Sequence, residues 1–355
     1  MRLLRLTLAV LAAAAACGEP VPTAPHVLPG ATAGRHVLVP LEELGFGTGA
    51  LHGRGCAAPE HRQFDFWLGS WDVFNPSDVQ VGTNAIVSAL NGCAVLENWT
   101  ASNGQRGRSL NSYDAIDGTW VQTWVAAGGG FGAFLLMEGG LVGSEMRLTG
   151  TRVFADFGGF TLTDIYTWTP LPSGDVRQVG AVDPPIFAPF DGRYVRRAAI
   201  TPAPEVIVPV CGSRATSREL DFLLGTWRLV PGSGVGAGTG AGTSVVTTDL
   251  SQCLIEEKVT GPAGYEGLAF ATWSPIDHKW YRTWVDNTGL RLVLTGGLQN
   301  GAMVLTGTRR DGSGSLAKVR VTWRPSGTES VEQRWELSRD DGATWSEQRV
   351  IRYVR

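Results

Sequence analysis

Apolar side chains recur along this chain in short runs of strand length, some of them, such as 146–153 and 160–169, alternating with polar side chains. "AIVSAL" (85–90), "CAVLENWT" (93–100), "WVQTWV" (120–125), "AFLLMEG" (133–139), "MRLTGTRV" (146–153) and "FTLTDIYTWT" (160–169) have strand length and β-branched or aromatic weight. Gly, Asn, Asp or Pro stand between them, where turns need them. No stretch sustains a helical 3.6-residue period, so the chain reads as all-β.

The pattern is written twice. "FDFWLGSWDVF" (64–74) returns as "LDFLLGTWRLV" (220–230), and "GTNAIVSALNGCAVLENWT" (82–100) as "GTSVVTTDLSQCLIEEKVT" (242–260). "YDAIDGTWVQTWV" (113–125) returns as "WSPIDHKWYRTWV" (273–285), "YTWTP" (166–170) as "VTWRP" (321–325), and "GRYVRR" (192–197) as "IRYVR" (351–355). Preserved order with small insertions marks a tandem duplication. It divides the chain into unit one (56–197), a Pro-rich linker (198–210) and unit two (211–355). About eight strands per unit, joined by short hairpins, fit a closed up-and-down barrel without free edges. A pair of β-sandwiches is the alternative.

Composition narrows the function more than it defines it. With 30 Lys+Arg against 33 Asp+Glu the net charge is -3, so no basic excess points to nucleic acid. The N-terminus stands apart: a basic start, an apolar run from Leu6 to Ala16, then Cys17 and a Pro-rich stretch. The run is shorter than the roughly 20 residues of a membrane span and has the shape of an export signal (1–16). Cys17 after small residues resembles a bacterial lipoprotein box, with Ala14 where the usual box has Leu. That resemblance implies lipidation of Cys17, with residues 17–55 as a flexible tether and the cell envelope as location; a cleaved, soluble periplasmic or secreted protein is the alternative. The other cysteines, Cys56, Cys93, Cys211 and Cys253, allow three pairings. Repeat symmetry favours Cys56–Cys93 and Cys211–Cys253. No CxxC spacing accompanies the five scattered histidines, so no metal site is expected.

Gly-x-Trp at the start of a β-rich unit (Gly69-Ser-Trp71, Gly225-Thr-Trp227) resembles the first strand of the lipocalin, or calycin, superfamily. The resemblance implies that this Trp plugs the closed end of a barrel while an Arg of the last strand stacks across it: Arg193 or Arg196 in unit one, Arg352 or Arg355 in unit two. The longer pattern, Phe-Asp-Phe-Trp-x-Gly-x-Trp, Gly-Cys near a Glu, Trp-x-Gln-x-Trp and a closing Gly-x-Tyr-x-Arg, resembles a group of uncharacterised bacterial secreted proteins. Unit two departs from it where Leu223, Val259 and Arg282 replace Trp67, Trp99 and Gln122.

Strand alternation puts Trp120, Gln122 and Trp124 on one face, and Trp280, Arg282, Trp284 and Asp286 on the equivalent face. A polar group between two tryptophans suits a lumen that stacks on a ligand; a dry, filled barrel is the structural alternative. Glu97 and Glu257 follow matching cysteines on apolar strands and are candidate inward carboxylates. Arg282 and Asp286 are expected to pair. Asp117 and Asp277 read as hairpin-turn residues. "SRDDGATW" (338–345) reads as a hairpin and "GSGVGAGTGAG" (232–242) as a loop. No nucleophile elbow, His-Glu-x-x-His or P-loop is present, and no cofactor is expected. The candidate binding set is Glu97, Trp99, Trp120, Gln122, Trp124, Trp280, Arg282 and Trp284. The reading is an envelope-associated small-molecule binding protein. An enzyme using the same lumen, and a structural or interaction lipoprotein with filled barrels, are the alternatives.

Overall fold

The computed structural model describes residues 56–127, 133–197, 211–232, 241–310 and 315–355. Each repeat closes into a ten-stranded antiparallel barrel in meander order. Barrel one comprises β1 (Gly69–Phe74), β2 (Gln80–Ala89), β3 (Ala94–Ala101), β4 (Arg106–Asp114), β5 (Thr119–Ala126), β6 (Phe134–Val142), β7 (Glu145–Phe154), β8 (Phe160–Pro170), β9 (Val176–Asp183) and β10 (Phe190–Arg196). Barrel two comprises β11 (Gly225–Pro231), β12 (Gly242–Asp249), β13 (Leu254–Thr260), β14 (Glu266–Ser274), β15 (Lys279–Asp286), β16 (Arg291–Gln299), β17 (Ala302–Arg310), β18 (Leu316–Ser326), β19 (Ser330–Ser338) and β20 (Ser346–Val354). The first strand of each pairs with the last, so neither sheet has an edge and the sandwich alternative falls away.

The strand number is ten rather than about eight. The two strands that no apolar run marked are β4 (RGRSLNSYD) and β9 (VRQVGAVD), whose polar and charged residues hide them in the sequence. Asp72 on β1 pairs with Arg197, and Asp191 on β10 pairs with Arg177 on β9, all on the outer surface. The proposed export signal, Cys17, the tether and the linker lie outside the described residues, as does most of the Gly-rich stretch at 232–242. No helix among the described residues is long and apolar enough to cross a membrane. "SRDDGATW" makes the β19–β20 hairpin, where the Asp340 carboxylate accepts from the Thr344 N–H at 2.8 Å.

The duplicated opening motif builds the closed end of each barrel. Asp65–Trp67 and Asp221–Leu223 form single 3-10 turns that cross the barrel floor. Trp71 and Trp227 plug the lumen; their indole N–H groups donate back to the carbonyls of Trp67 (2.9 Å) and Leu223 (2.7 Å). Arg196 caps Trp71 with its guanidinium 4.3 Å from the ring centroid, and Arg355 caps Trp227 at 4.0 Å. Each guanidinium also donates to a motif carbonyl, of Leu68 and Leu224 respectively. Arg196 and Arg355 therefore hold the lid, rather than Arg193 or Arg352. Gly69 is required there: its φ is +142°, and a Cβ would lie 2.7 Å from the Arg196 guanidinium.

The two barrels lie in one compact unit, packed through the outer faces of β3–β5 and β13–β15. Equivalent side chains meet across the contact: Thr123 and Thr283 share a hydrogen bond of 2.6 Å, and Leu110, Val125, Phe270 and Val285 are buried around them. Arg108 reaches across to Asp249 (3.1 Å), and Arg291 to Asp114 (3.2 Å). Asp117 and Asp277 lie in the β4–β5 and β14–β15 hairpin turns, as read from the sequence. Asp114 accepts the turn N–H of Ile116, whereas Asp117 faces Arg310 of barrel two at 3.3 Å. Asp277 accepts from the Tyr281 hydroxyl at 2.6 Å.

The disulfides are Cys56–Cys93 and Cys211–Cys253, one per repeat, and all four half-cystines lie in the inter-barrel apolar cluster. Two disulfides belong to an oxidising, exported environment. They span 37 and 42 residues, so chain-entropy arguments give each about 2–4 kcal/mol. Because they sit in the shared cluster, the Cys93→Ser/Cys56→Ser protein is expected to lose about that much in urea unfolding and to destabilise both barrels together. An unchanged midpoint, or loss confined to barrel-one probes, would contradict the shared-cluster account.

Candidate functional site

The inward positions of β2–β5, β8 and β9 place a belt of polar groups above each tryptophan plug. In barrel one its centre is Glu97, buried at 4% exposure. Asn84 donates to one carboxylate oxygen and Ser109 to the other, both at 2.7 Å. The network continues sideways: Asn111 donates to Ser109 at 2.9 Å, and Gln122 donates to Asn111 at 2.8 Å. Tyr194 donates to Gln178. No ion pair to Glu97 exists among the described residues. Burial therefore pushes its carboxyl up to about 7, against the pull of the two hydrogen bonds.

In barrel two the equivalent carboxylate is Glu257, 1% exposed. It accepts from Ser244 at 2.6 Å and from Tyr353 at 2.9 Å. It also takes a charge-assisted bond from Arg282, the residue that stands where barrel one has Gln122. The Arg282 guanidinium lies 5.2 Å from the Trp323 ring and 5.9 Å from Trp284. The expected Arg282–Asp286 pair is not made. Asp286 turns to the end of its strand, where it accepts from the Tyr265 hydroxyl at 3.0 Å and from the Thr288 and Leu290 N–H groups. Glu257, two strands away across β14 and already desolvated, is the nearer and stronger partner.

The barrels differ most at the end opposite the plugs. Barrel one opens there into a cavity of about 370 Å³, lined by Leu135, Tyr166, Gly180, Phe187, Phe190 and the Arg152–Asp164 pair. Arg152 grips both oxygens of Asp164, at 2.6 and 2.7 Å. Trp99 and Trp124 are half-buried on the same inward face. Trp99 meets Phe190 edge-on with centroids 6.3 Å apart. Trp124 lies so close over Gly107 that a Cβ there would be 2.3 Å from its ring. In barrel two the positions of the Gly180–Phe190 cross-strand pair hold Trp335 and Arg349, also a pair. Their side chains stack at 4.6 Å, and the remaining space is about 10 Å³, room for one water at most. Burial pushes the Arg349 guanidinium down to about 10.

All eight residues of the candidate set face inward, but not into one place. Glu97 and Gln122 belong to the buried polar belt of barrel one, and Trp99 and Trp124 stand half-buried on its inward face behind the residues that line the cavity, which Trp99 meets through Phe190. Trp120 belongs to the plug, packed on Phe64 and donating to Gln63 at 3.1 Å. Trp280 lies at the matching closed end and donates to Glu219 at 3.0 Å. Arg282 and Trp284 line the filled lumen of barrel two. Sequence reasoning missed Asn84, Ser109, Asn111, Tyr166, Gly180 and Phe190. The first three carried a usable signal: polar residues at alternate positions of apolar strands. Among the described residues no group of His, Cys, Asp and Glu is arranged to hold a metal.

No protein-family model matches the chain, and no curated protein matches it. Among solved structures, a protein of unknown function of the DUF3598 family from Nostoc punctiforme PCC 73102 is similar over 83% of this chain and 98% of that one, with 12% identity and a TM-score of 0.19. So loose a match says nothing about the site.

The two carboxylates make opposite predictions. Glu97 binds its proton more tightly folded (about 7) than unfolded (4.5). Stability is then lost as pH rises from about 4.5 to 7 and stays lost above. Glu97→Gln is expected to be near neutral at pH 4.5 and to stabilise by about 2–3 kcal/mol at pH 8, read from urea midpoints. Arg282→Gln leaves Glu257 buried without its cation and is expected to cost about 3–5 kcal/mol at pH 8. Destabilisation by Glu97→Gln at pH 8 would contradict the account of the barrel-one lumen.

Proposed function

We propose that the chain is an envelope-associated small-molecule binding protein whose ligand enters barrel one, with barrel two as a filled supporting barrel. The observation that supports this reading is the contrast between a 370 Å³ aromatic-lined mouth in one repeat and 10 Å³ in the other. Ligand sites are concave, mostly apolar and furnished with a few fixed polar groups, and the barrel-one mouth has that character. The closed lumen of barrel two gives up that space to Trp335 and Arg349. Among the described residues no catalytic constellation recurs in the two repeats, and no observation favours an enzyme over a binding protein.

The proposal extends to location. The disulfides fit export, and the basic start, short apolar run and Cys17 at the N-terminus fit a lipid anchor on a Pro-rich tether. The membrane would then be a partner through that anchor alone.

Two experiments test this reading. N-phenyl-1-naphthylamine, an uncharged apolar fluorophore, is expected to bind at one equivalent per chain. The Gly180→Trp/Phe190→Arg variant, which copies barrel two, is expected to weaken it at least tenfold. No binding, or binding indifferent to the double variant, would overturn the assignment to barrel one. Expressed in a bacterium, the full chain is expected to partition with membranes and to carry a lipid mass on Cys17; Cys17→Ser should release it. Unchanged mass and partitioning in Cys17→Ser would rule out the anchor.

A further inference from the structure

Barrel one presents a buried acceptor floor beneath an aromatic rim, and the rest of the chain shows what such a floor holds. Glu97 is one inward step below Trp99 on β3, and through Ser109 it is the cross-strand neighbour of Trp124. Tyr166, which lines the mouth, feels the Glu97 carboxylate: burial first, then Asp164 and Glu97, push its phenol up to about 12. Beside Glu97 the Asn84 side-chain oxygen is fully buried and has no partner. The floor therefore offers acceptors in excess of donors.

The duplicated barrel supplies the internal comparison. There the same carboxylate, Glu257, holds the guanidinium of Arg282, with the Trp284 ring 5.9 Å away. A second guanidinium, Arg349, stands above it where barrel one has Phe190. Barrel one keeps the carboxylate and the tryptophan and lacks both arginines. In their place it has Gln122 and aromatic residues: Trp99 for Val259, Tyr166 for Val321, Phe190 for Arg349. Aromatic faces around a carboxylate are the chemistry that binds an organic cation.

We propose that the barrel-one lumen takes a small organic cation with a guanidinium or ammonium head, its charge set toward Glu97 and its body against Trp99, Trp124, Tyr166 and Phe190. The proposal rests on the binding reading above and names the ligand class for that site. Barrel two carries the equivalent cation as its own side chain. Other charged or titratable groups facing the lumen do not compete for the cation: Tyr194 is raised well above its usual range by burial, and Asp164 is already held by Arg152.

The test uses the full chain and three probes: butylguanidinium, its uncharged isostere butylurea, and N-phenyl-1-naphthylamine. Titrations follow tryptophan fluorescence and calorimetry. Butylguanidinium is expected to bind at least tenfold more tightly than butylurea at pH 8, and to weaken at least tenfold between pH 8 and pH 5 as Glu97 takes up its proton. Glu97→Gln is expected to abolish both differences, and Gln122→Arg to block the cation as Arg282 does in barrel two. The pH dependence of the unsubstituted protein tests the same point without relying on a variant that folds. Equal binding of butylguanidinium and butylurea, or cation binding indifferent to Glu97→Gln, overturns the cation proposal. If N-phenyl-1-naphthylamine still binds in that case, the binding reading stands alone. If no probe binds, both fall.

Discussion

A carboxylate in the middle of a barrel lumen has to be matched by a cation, supplied with hydrogen-bond donors, or left protonated. Each repeat of this chain contains one, at equivalent positions, and the two barrels resolve it differently. Glu257 takes Arg282, and the lumen around that pair is closed by Trp335, Arg349 and Trp323. Glu97 takes only the neutral donors Asn84 and Ser109. A buried charge pair tolerates no loss of one partner, so barrel two is committed to its filling. A hydrogen-bonded carboxyl without a cation carries no such commitment. An open lumen in barrel one and a filled one in barrel two accompany this one difference.

The closed ends do not share it. Trp71 with Arg196 and Trp227 with Arg355 are equivalent solutions to the same problem, sealing a ten-stranded barrel at one end with a turn, a ring and a guanidinium. The second copy of the opening motif is there because each barrel needs its own floor. The contact between barrels adds a further constraint. It uses the outward faces of β4, β5, β14 and β15 and draws both disulfides into one apolar cluster.

The repeat, the all-β class, the closed barrels and the within-repeat disulfides were legible in the sequence because alternation, turn residues and duplication all agreed. Strand number was less so: β4 carries Arg106, Arg108 and Asp114, β9 carries Arg177 and Asp183, and charge in a short strand reads as loop. The inter-barrel face was readable in hindsight. "EGLAFATW" and "WVQTWV" are apolar at consecutive positions, the mark of strands covered on both sides. At the site, Glu97, Trp99, Gln122 and Trp124 were recoverable from alternation within one repeat. The partner of Arg282 was not, because Asp286 is nearer in sequence and Glu257 nearer in space. The Gly180–Phe190 and Trp335–Arg349 contrast was also out of reach, since it depends on cross-strand register that no local pattern specifies.

The account depends most directly on the protonation behaviour of one side chain. Carbon-13 NMR of selectively labelled glutamate, assigned by Glu97→Gln and followed across pH, reads the Glu97 carboxyl itself. The account predicts a midpoint near 7 in the free protein, moving downward when a cation occupies the lumen. A midpoint in the ordinary carboxylate range, unmoved by cations, would mean that Glu97 is neither desolvated nor unmatched, and would contradict the contrast between the two barrels.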